Sequence, residues 1–207
     1  MTRVKICGIT SLQDAALAVR LGADMIGFNF YQKSPRFIEP QAAADIAKSV
    51  SDDVVKVGVF VNMEIYRISE LVSLIGLDAV QIHGDEDDAF LDELKSETDA
   101  KIIKAYRIID KDGKAPPITN ASDYVLLDSF SAGYGGSGNA FDWSLTSAFR
   151  DVRDRLFLAG GLTPENVAYA VRQVRPFAVD VASGVESSNG KKDPKKLEEF
   201  IAAAKQG

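Results

Sequence analysis

The chain has 207 residues, 46% hydrophobic and 26% charged, with 24 basic against 30 acidic residues and a formal net charge of −6. That is a globular composition for one domain spanning 1–207, and its acidic balance supplies no general field for attracting nucleic acid or an anionic membrane. One cysteine and one histidine exclude an intrachain disulfide framework, a cysteine-rich zinc site and any multi-histidine metal site.

In chain order, a short apolar strand at 4–7 precedes a helical pattern in which Thr10 and Gln13 read as a capping box and Gly22 as the exit. A strand at 25–30 leads to a helix opened by Pro40 and running through Val50. A strand at 54–61 is followed by a helix capped by Asn62 and reaching Ile75, with Gly76 after it. Next come a strand at 79–82 and a helix from Glu86 to Lys95 capped by Asp85. The strand at 102–105 runs into 110–120, which holds Gly113, Pro116 and Pro117 and is too short for a full helix. A strand at 124–128 leads into a glycine-rich loop at 131–140 and a short helix near Asp142, where Trp143 is expected to pack on the body of the fold. The strand at 156–159 precedes Thr163-Pro164-Glu165, read as N-cap, first position and acidic first turn of a helix ending near Gln173. The last strand, at 177–181, is followed by a helix from Asp193-Pro194 to Ala204, and Lys191-Lys192 reads as part of a solvated loop.

Strands so short and so rich in Val, Ile, Leu and Phe, without strict alternation, are those of a parallel sheet covered on both faces. Eight βα units leave an α/β fold of one of two kinds, a closed barrel or a doubly wound open sheet. A dinucleotide-binding open sheet carries Gly-x-Gly-x-x-Gly after its first strand, whereas Cys7-Gly8-Ile9-Thr10 stands there. The expectation is a single (β/α)8 TIM barrel whose fifth helix is short or degenerate. No apolar targeting segment opens the sequence and no run is long enough to span a bilayer, which predicts a cytoplasmic protein.

A barrel carries its chemistry at the C-terminal ends of its strands. That rule gathers Cys7, Arg36, His83, Asp128 and Asp180 at one rim, together with Gly160-Gly161 and Ser183-Gly184 of the last two loops. Gly160-Gly161 and Ser183-Gly184 could let backbone amides approach a phosphate, or could simply end their strands. Cys7 is either an inert buried thiol or a base activated by nearby positive charge. Asp128 closes the apolar run Tyr124-Val125-Leu126-Leu127 and reads equally as a desolvated general acid or as a loop cap. Arg36, stiffened by Pro35, suits bidentate capture of a carboxylate, and is otherwise an exposed loop arginine. His83 stands three strands from Cys7, which argues against a Cys–His nucleophilic dyad and for a structural or substrate-contacting role. Asp180 could orient a sugar hydroxyl or satisfy backbone amides. The run Gly133-Tyr134-Gly135-Gly136-Ser137-Gly138 lacks the ending of a P-loop and reads as a lid over Asp128 or a plain connection.

Taken together, Val4-Lys5-Ile6-Cys7-Gly8-Ile9-Thr10, Ser34-Pro35-Arg36, Gln81-Ile82-His83-Gly84, Leu127-Asp128-Ser129, Gly135-Gly136-Ser137-Gly138 with Phe141-Asp142-Trp143, Leu158-Ala159-Gly160-Gly161-Leu162 and Asp180-Val181-Ala182-Ser183-Gly184-Val185-Glu186 resemble the phosphoribosylanthranilate isomerase family over essentially the whole chain. The resemblance implies a tryptophan-pathway enzyme performing an Amadori rearrangement of a small phosphosugar, with Asp128 as general acid and Cys7 as general base. It further implies Arg36 on the substrate carboxylate and Gly160, Gly161, Ser183 and Gly184 on the phosphate. His83 and Asp180 are implied as further contacts. No metal or organic cofactor is implied, nor a nucleic-acid or membrane partner, and monomer and homodimer both stay open. Two small departures are Ser137 where threonine is frequent and Ala182 where serine is common. Other phosphate-binding barrels compete. An indole-glycerol-phosphate synthase needs a catalytic lysine set, and metal-using epimerases want several histidines. A non-catalytic anion-binding module would have no use for Cys7 and Asp128 at one rim.

Overall fold

Period-two placement of side chains gives each strand one face for the barrel lumen and one for the surrounding helices. In the computed structural model, which describes residues 1–108, 118–129 and 151–207, eight parallel strands pair in the cyclic order β1 to β8. They are β1 (Arg3–Cys7), β2 (Met25–Asn29), β3 (Val55–Phe60), β4 (Ala79–Ile82), β5 (Lys101–Ile108), β6 (Tyr124–Ser129), β7 (Leu156–Leu158) and β8 (Ala178–Val181). Pairing of β8 with β1, Val4 opposite Val179 and Ile6 opposite Val181, shuts the barrel. One face of each strand fills the lumen, where Met25, Val57, Ala79, Ile103, Leu126, Phe157 and Ala178 form an inner core. The other face, including Val4, Ile6, Ile26, Phe28, Val80 and Ile82, packs against the helices. Both faces are therefore dry, and an all-parallel sheet of this kind needs that.

Among the described residues the α-helices are α1 (Leu12–Arg20), α2 (Pro40–Ser49), α3 (Ile65–Ile75), α4 (Asp88–Glu97), α5 (Val167–Val174) and α6 (Pro194–Gln206). A short antiparallel hairpin, β9 (Glu186–Ser188) with β10 (Lys191–Lys192), is inserted between β8 and α6. Residues 118–123, just before β6, hold no helix. The expected short helix near Asp142, Trp143 and the glycine-rich loop 133–138 lie outside the described residues.

Tertiary contacts moved several helix starts. Thr10 does not cap α1. Its hydroxyl donates to the Gly190 carbonyl at 2.6 Å, and Ser11 takes the cap by accepting from the Asp14 N–H at 3.1 Å. Asn62 does not cap α3 either: its side-chain carbonyl accepts from the Asp85 N–H at 2.9 Å, and α3 begins after Glu64. Asp87, not Asp85, caps α4 by accepting from Phe90 N–H. Thr163-Pro164 forms a turn rather than the first turn of α5, which starts after Asn166. Gly76, left-handed at φ +72°, and Asp193, which accepts from Lys195 and Lys196 N–H, end α3 and start α6 as expected.

The N-terminal rim is pinned by a repeated device. Asp24, Asp78 and Asp123 each stand just before an even-numbered strand, and each accepts a backbone N–H from the strand before it. The donors are Val4 at 2.8 Å, Lys56 at 2.7 Å and Ile102 at 2.9 Å. Each bond fixes the register of a neighbouring pair at its start, so the opposite ends of the strands, which carry the chemistry, are held in phase.

Candidate active site

Alternation along β1 turns both Lys5 and Cys7 into the lumen, one above the other, in a strand otherwise apolar. Asp180 from β8, Gln81 from β4 and Asp128 from β6 line the same pocket as Cys7. This open pocket is lined by Cys7, Arg36, Gln81, His83, Asp128 and Asp180, among others. The structure thus brings together five of the side chains expected at the site. Gly160, Gly161, Ser183 and Gly184 sit on the neighbouring loops and do not line the pocket, although Ala182, beside Ser183, does. Gly160 and Gly161 have φ of +85° and +63°. The following turn is tied down by Asn166, which donates to the Gly161 carbonyl and accepts from Thr163 N–H. At Gly184 a side chain would run into the Leu162 carbonyl, so the last two loops meet backbone to backbone. Because α5 starts only after Asn166, the expected helix N-terminus at Thr163 is replaced by this turn and by a 3-10 turn at Ser183–Val185.

Arg36 is not an exposed loop arginine. Ser34 Oγ accepts from Arg36 N–H at 3.1 Å and from the Asn29 side-chain amide at 3.2 Å, which folds the loop after β2 over the barrel mouth. The stem then crosses Gly8, where a Cβ would come within 2.5 Å of Arg36 Cδ. Its guanidinium donates through Nε and Nη2 to the two carboxylate oxygens of Glu186, at 2.8 and 2.7 Å. Two donors are used of five, so the planar fork is locked while other N–H groups remain for a ligand anion. Glu186 also accepts from Lys192 Nζ at 3.0 Å. Burial works against its carboxylate, but the Arg36 bonds and the Lys192 charge outweigh this and hold it below the usual carboxylate range.

Lys192 corrects another expectation: the lysine read as part of a solvated loop is 2% exposed. Its ammonium donates to the Cys7 carbonyl at 2.6 Å and the Ala182 carbonyl at 3.2 Å, besides Glu186. Burial lowers its basicity despite the Glu186 charge. The β9–β10 hairpin is therefore a strap that carries both Glu186 and Lys192 under Arg36.

Lys5 is fully buried and donates to Asp180 Oδ1 and to Gln81 Oε1, each at 2.9 Å. Desolvation opposes its charge, yet Asp180 and Cys7 more than compensate and hold the ammonium above the usual lysine range. An ammonium can only donate, so Gln81 must show it the carbonyl and turn its NH2 to His83 Nδ1, 3.0 Å away. That nitrogen then accepts, which leaves the ring proton on Nε2, 3.5 Å from Asp128 Oδ2. Both ring nitrogens are engaged away from Cys7, and a Cys–His dyad does not form. Burial pushes the Cys7 thiol up; Lys5 and Lys192 pull the other way, Asp180 adds to the rise, and the net shift is upward. Among the described residues no group of three or more His, Cys, Asp or Glu side chains could hold a metal ion, and no helix is long and apolar enough to cross a membrane.

Lys5, Glu186 and Lys192 were not assigned to the site from sequence. Lys5 left a signal: a lysine two residues before Cys7 in a strand dry on both faces demands a counter-charge. Glu186 and Lys192 left none.

The profile of the N-(5'phosphoribosyl)anthranilate (PRA) isomerase family matches residues 4–203. The chain belongs to that family. It is accordingly an isomerase, and its relatives agree over full length. The N-(5'-phosphoribosyl)anthranilate isomerase of Thermotoga neapolitana is 46% identical over 205 residues, covering 99% of both chains. The crystal structure of the Thermotoga maritima phosphoribosyl anthranilate isomerase superposes with a TM-score of 0.87 at 44% identity, again over 99% of each chain. A family structure solved in complex with reduced 1-(o-carboxyphenylamino)-1-deoxyribulose 5-phosphate gives 0.83 at 41% identity and 99% coverage of each.

Proposed function

We propose that this enzyme converts N-(5-phosphoribosyl)anthranilate to 1-(2-carboxyphenylamino)-1-deoxyribulose 5-phosphate in tryptophan biosynthesis. The observation that carries the reading is the convergence of Cys7, Asp128 and Arg36 on one pocket. Asp128 donates its proton to the furanose ring oxygen as the ring C–O bond breaks, and the anilinic nitrogen's lone pair forms the open-chain Schiff base. Cys7, as thiolate, removes the C2′ proton; the electrons flow into the protonated imine and give an enolamine, which tautomerises to the ketone. The substrate's own nitrogen is the electron sink, so no cofactor enters. Arg36, locked by Glu186, takes the anthranilate carboxylate through its remaining N–H groups, and the loops at Gly160-Gly161 and Ser183-Gly184 take the phosphate. His83, presenting Nε2–H, orients Asp128, while Asp180 faces the ribose.

Purified protein should consume freshly prepared phosphoribosylanthranilate, followed as loss of its fluorescence, without added metal. Turnover no faster than the spontaneous background would overturn the assignment. Cys7→Ser and Asp128→Asn should each lower kcat by about 10²–10⁴; near-normal kcat in either removes that residue from its role. Arg36→Ala should act mainly on KM.

A further inference from the structure

We infer that Lys5 is the positioning cation of Cys7: its ammonium, divided between Cys7 and Asp180, stabilises the thiolate, and Asp180 competes with the thiolate for the same charge. This deepens the reading of Cys7 as base and rests on it. The geometry is specific. Cys7 and Lys5 share the inward face of β1, and Cys7 lies opposite Gly27 of β2. A Cβ on Gly27 would stand 3.0 Å from Cys7 Sγ and 3.2 Å from Lys5 Nζ, so the thiol and the ammonium fill the space of one missing side chain. Asp180 and Gln81 then hold the ammonium from β8 and β4.

The other charges facing Cys7 do not take over this task. Lys192, from the hairpin, spends its donors on Glu186 and two backbone carbonyls, one of them that of Cys7. Arg36, from the loop after β2, is paired with Glu186. His83 and Asp128 pair with each other on the β4–β6 side of the pocket. Lys5 is the cation whose hydrogen bonding, as well as charge, favours the Cys7 thiolate.

Opposite shifts follow from the two substitutions. With Asp180 in place, ionising Cys7 creates a second anion beside one ammonium. With asparagine there, ionisation instead makes a one-to-one ion pair. The chain has one cysteine, so thiolate absorbance against pH, with Cys7→Ser as blank, reads this group alone. In Asp180→Asn the titration midpoint should fall by about 1 pH unit, and in Lys5→Met it should rise by about 1–3 units. Each unit is a tenfold change in thiolate at neutral pH. Should Lys5→Met fail to fold, with Asp180 stranded, the double variant Lys5→Met/Asp180→Asn removes both charges, and its midpoint should lie above that of Asp180→Asn. A midpoint unchanged or raised in Asp180→Asn, or unmoved on removing Lys5 in either background, overturns the inference. Such a result with an inactive Cys7→Ser enzyme would fail Lys5 alone, whereas an active Cys7→Ser enzyme would fail the base.

Discussion

Replacing Glu186 by glutamine tests whether the hairpin strap holds Arg36 in place. The side chain is buried between two cations that are buried themselves, with contacts of 2.7, 2.8 and 3.0 Å. Glutamine keeps the shape and one acceptor but leaves two positive groups without a counter-charge. Removing one partner of a buried pair costs about 3–5 kcal/mol. Taking about 3 kcal/mol, because glutamine preserves one bond, a chain of this size should lose about 6–12 °C in Tm. Arg36 would also turn more freely, and loss of orientation worth about 1.4 kcal/mol raises KM about tenfold with a smaller change in kcat. The pH dependence fixes the cause. The folded carboxyl titrates below its unfolded value, so its stabilisation is complete above about pH 4.3 and is lost as pH falls through the folded value. The Tm gap between wild type and variant should therefore stay constant from roughly pH 8 to pH 5 and close at lower pH, where the wild-type carboxyl is itself protonated. Calorimetry across that range and steady-state kinetics at neutral pH make the measurement. A variant with unchanged Tm and KM would refute the strap.

Gly27→Ala drives a methyl group into Cys7 Sγ and Lys5 Nζ, and overpacking of this kind costs about 1–3 kcal/mol; kcat should fall with it, and a variant normal in both would show that the two groups do not share that space. Asp78→Ala removes the acceptor of the Lys56 N–H and should lower unfolding free energy by about 1–3 kcal/mol in a urea titration without touching KM. A loss below about 0.3 kcal/mol would deny the rim aspartates their register role. Arg175 ends α5 with φ of +51°, a conformation that costs a non-glycine residue about 1–2 kcal/mol. Arg175→Gly should gain up to about 1 kcal/mol after the entropy of glycine is subtracted, and a net loss would show that the arginine is held there by something else.

How far the sequence could be read depended on whether the deciding interaction was local. All eight strands were legible because each is a dry segment with its own hydrophobic run, and their ends shifted by no more than three residues. Gly76 and Asp193 were legible because a left-handed exit and an Asp-Pro start are settled within one turn. Thr10, Asn62 and Asp85 were misplaced as caps. Thr10 and Asn62 are each drawn into a bond with a residue remote in sequence, Thr10 with Gly190 and Asn62 with Asp85; Ser11 and Asp87 cap α1 and α4 instead, and α3 starts without a side-chain cap.

The candidate site divides in the same way. By itself the sequence determined the barrel and the rim: Cys7, Asp128 and Asp180 end inward-facing strands, and Arg36 and His83 follow two others. It did not determine the charges that make the rim chemically useful. Lys5 meets Asp180 across 175 positions, Arg36 meets Glu186 across 150, and Lys192 reaches the Cys7 carbonyl across 185. Strand periodicity follows from backbone geometry, which repeats every two residues and needs no partner. The partner of a buried charge is whichever opposite charge the closed barrel brings within about 3 Å, the distance at which desolvation is repaid. Only closure of β8 onto β1 and the strap that follows it could decide that.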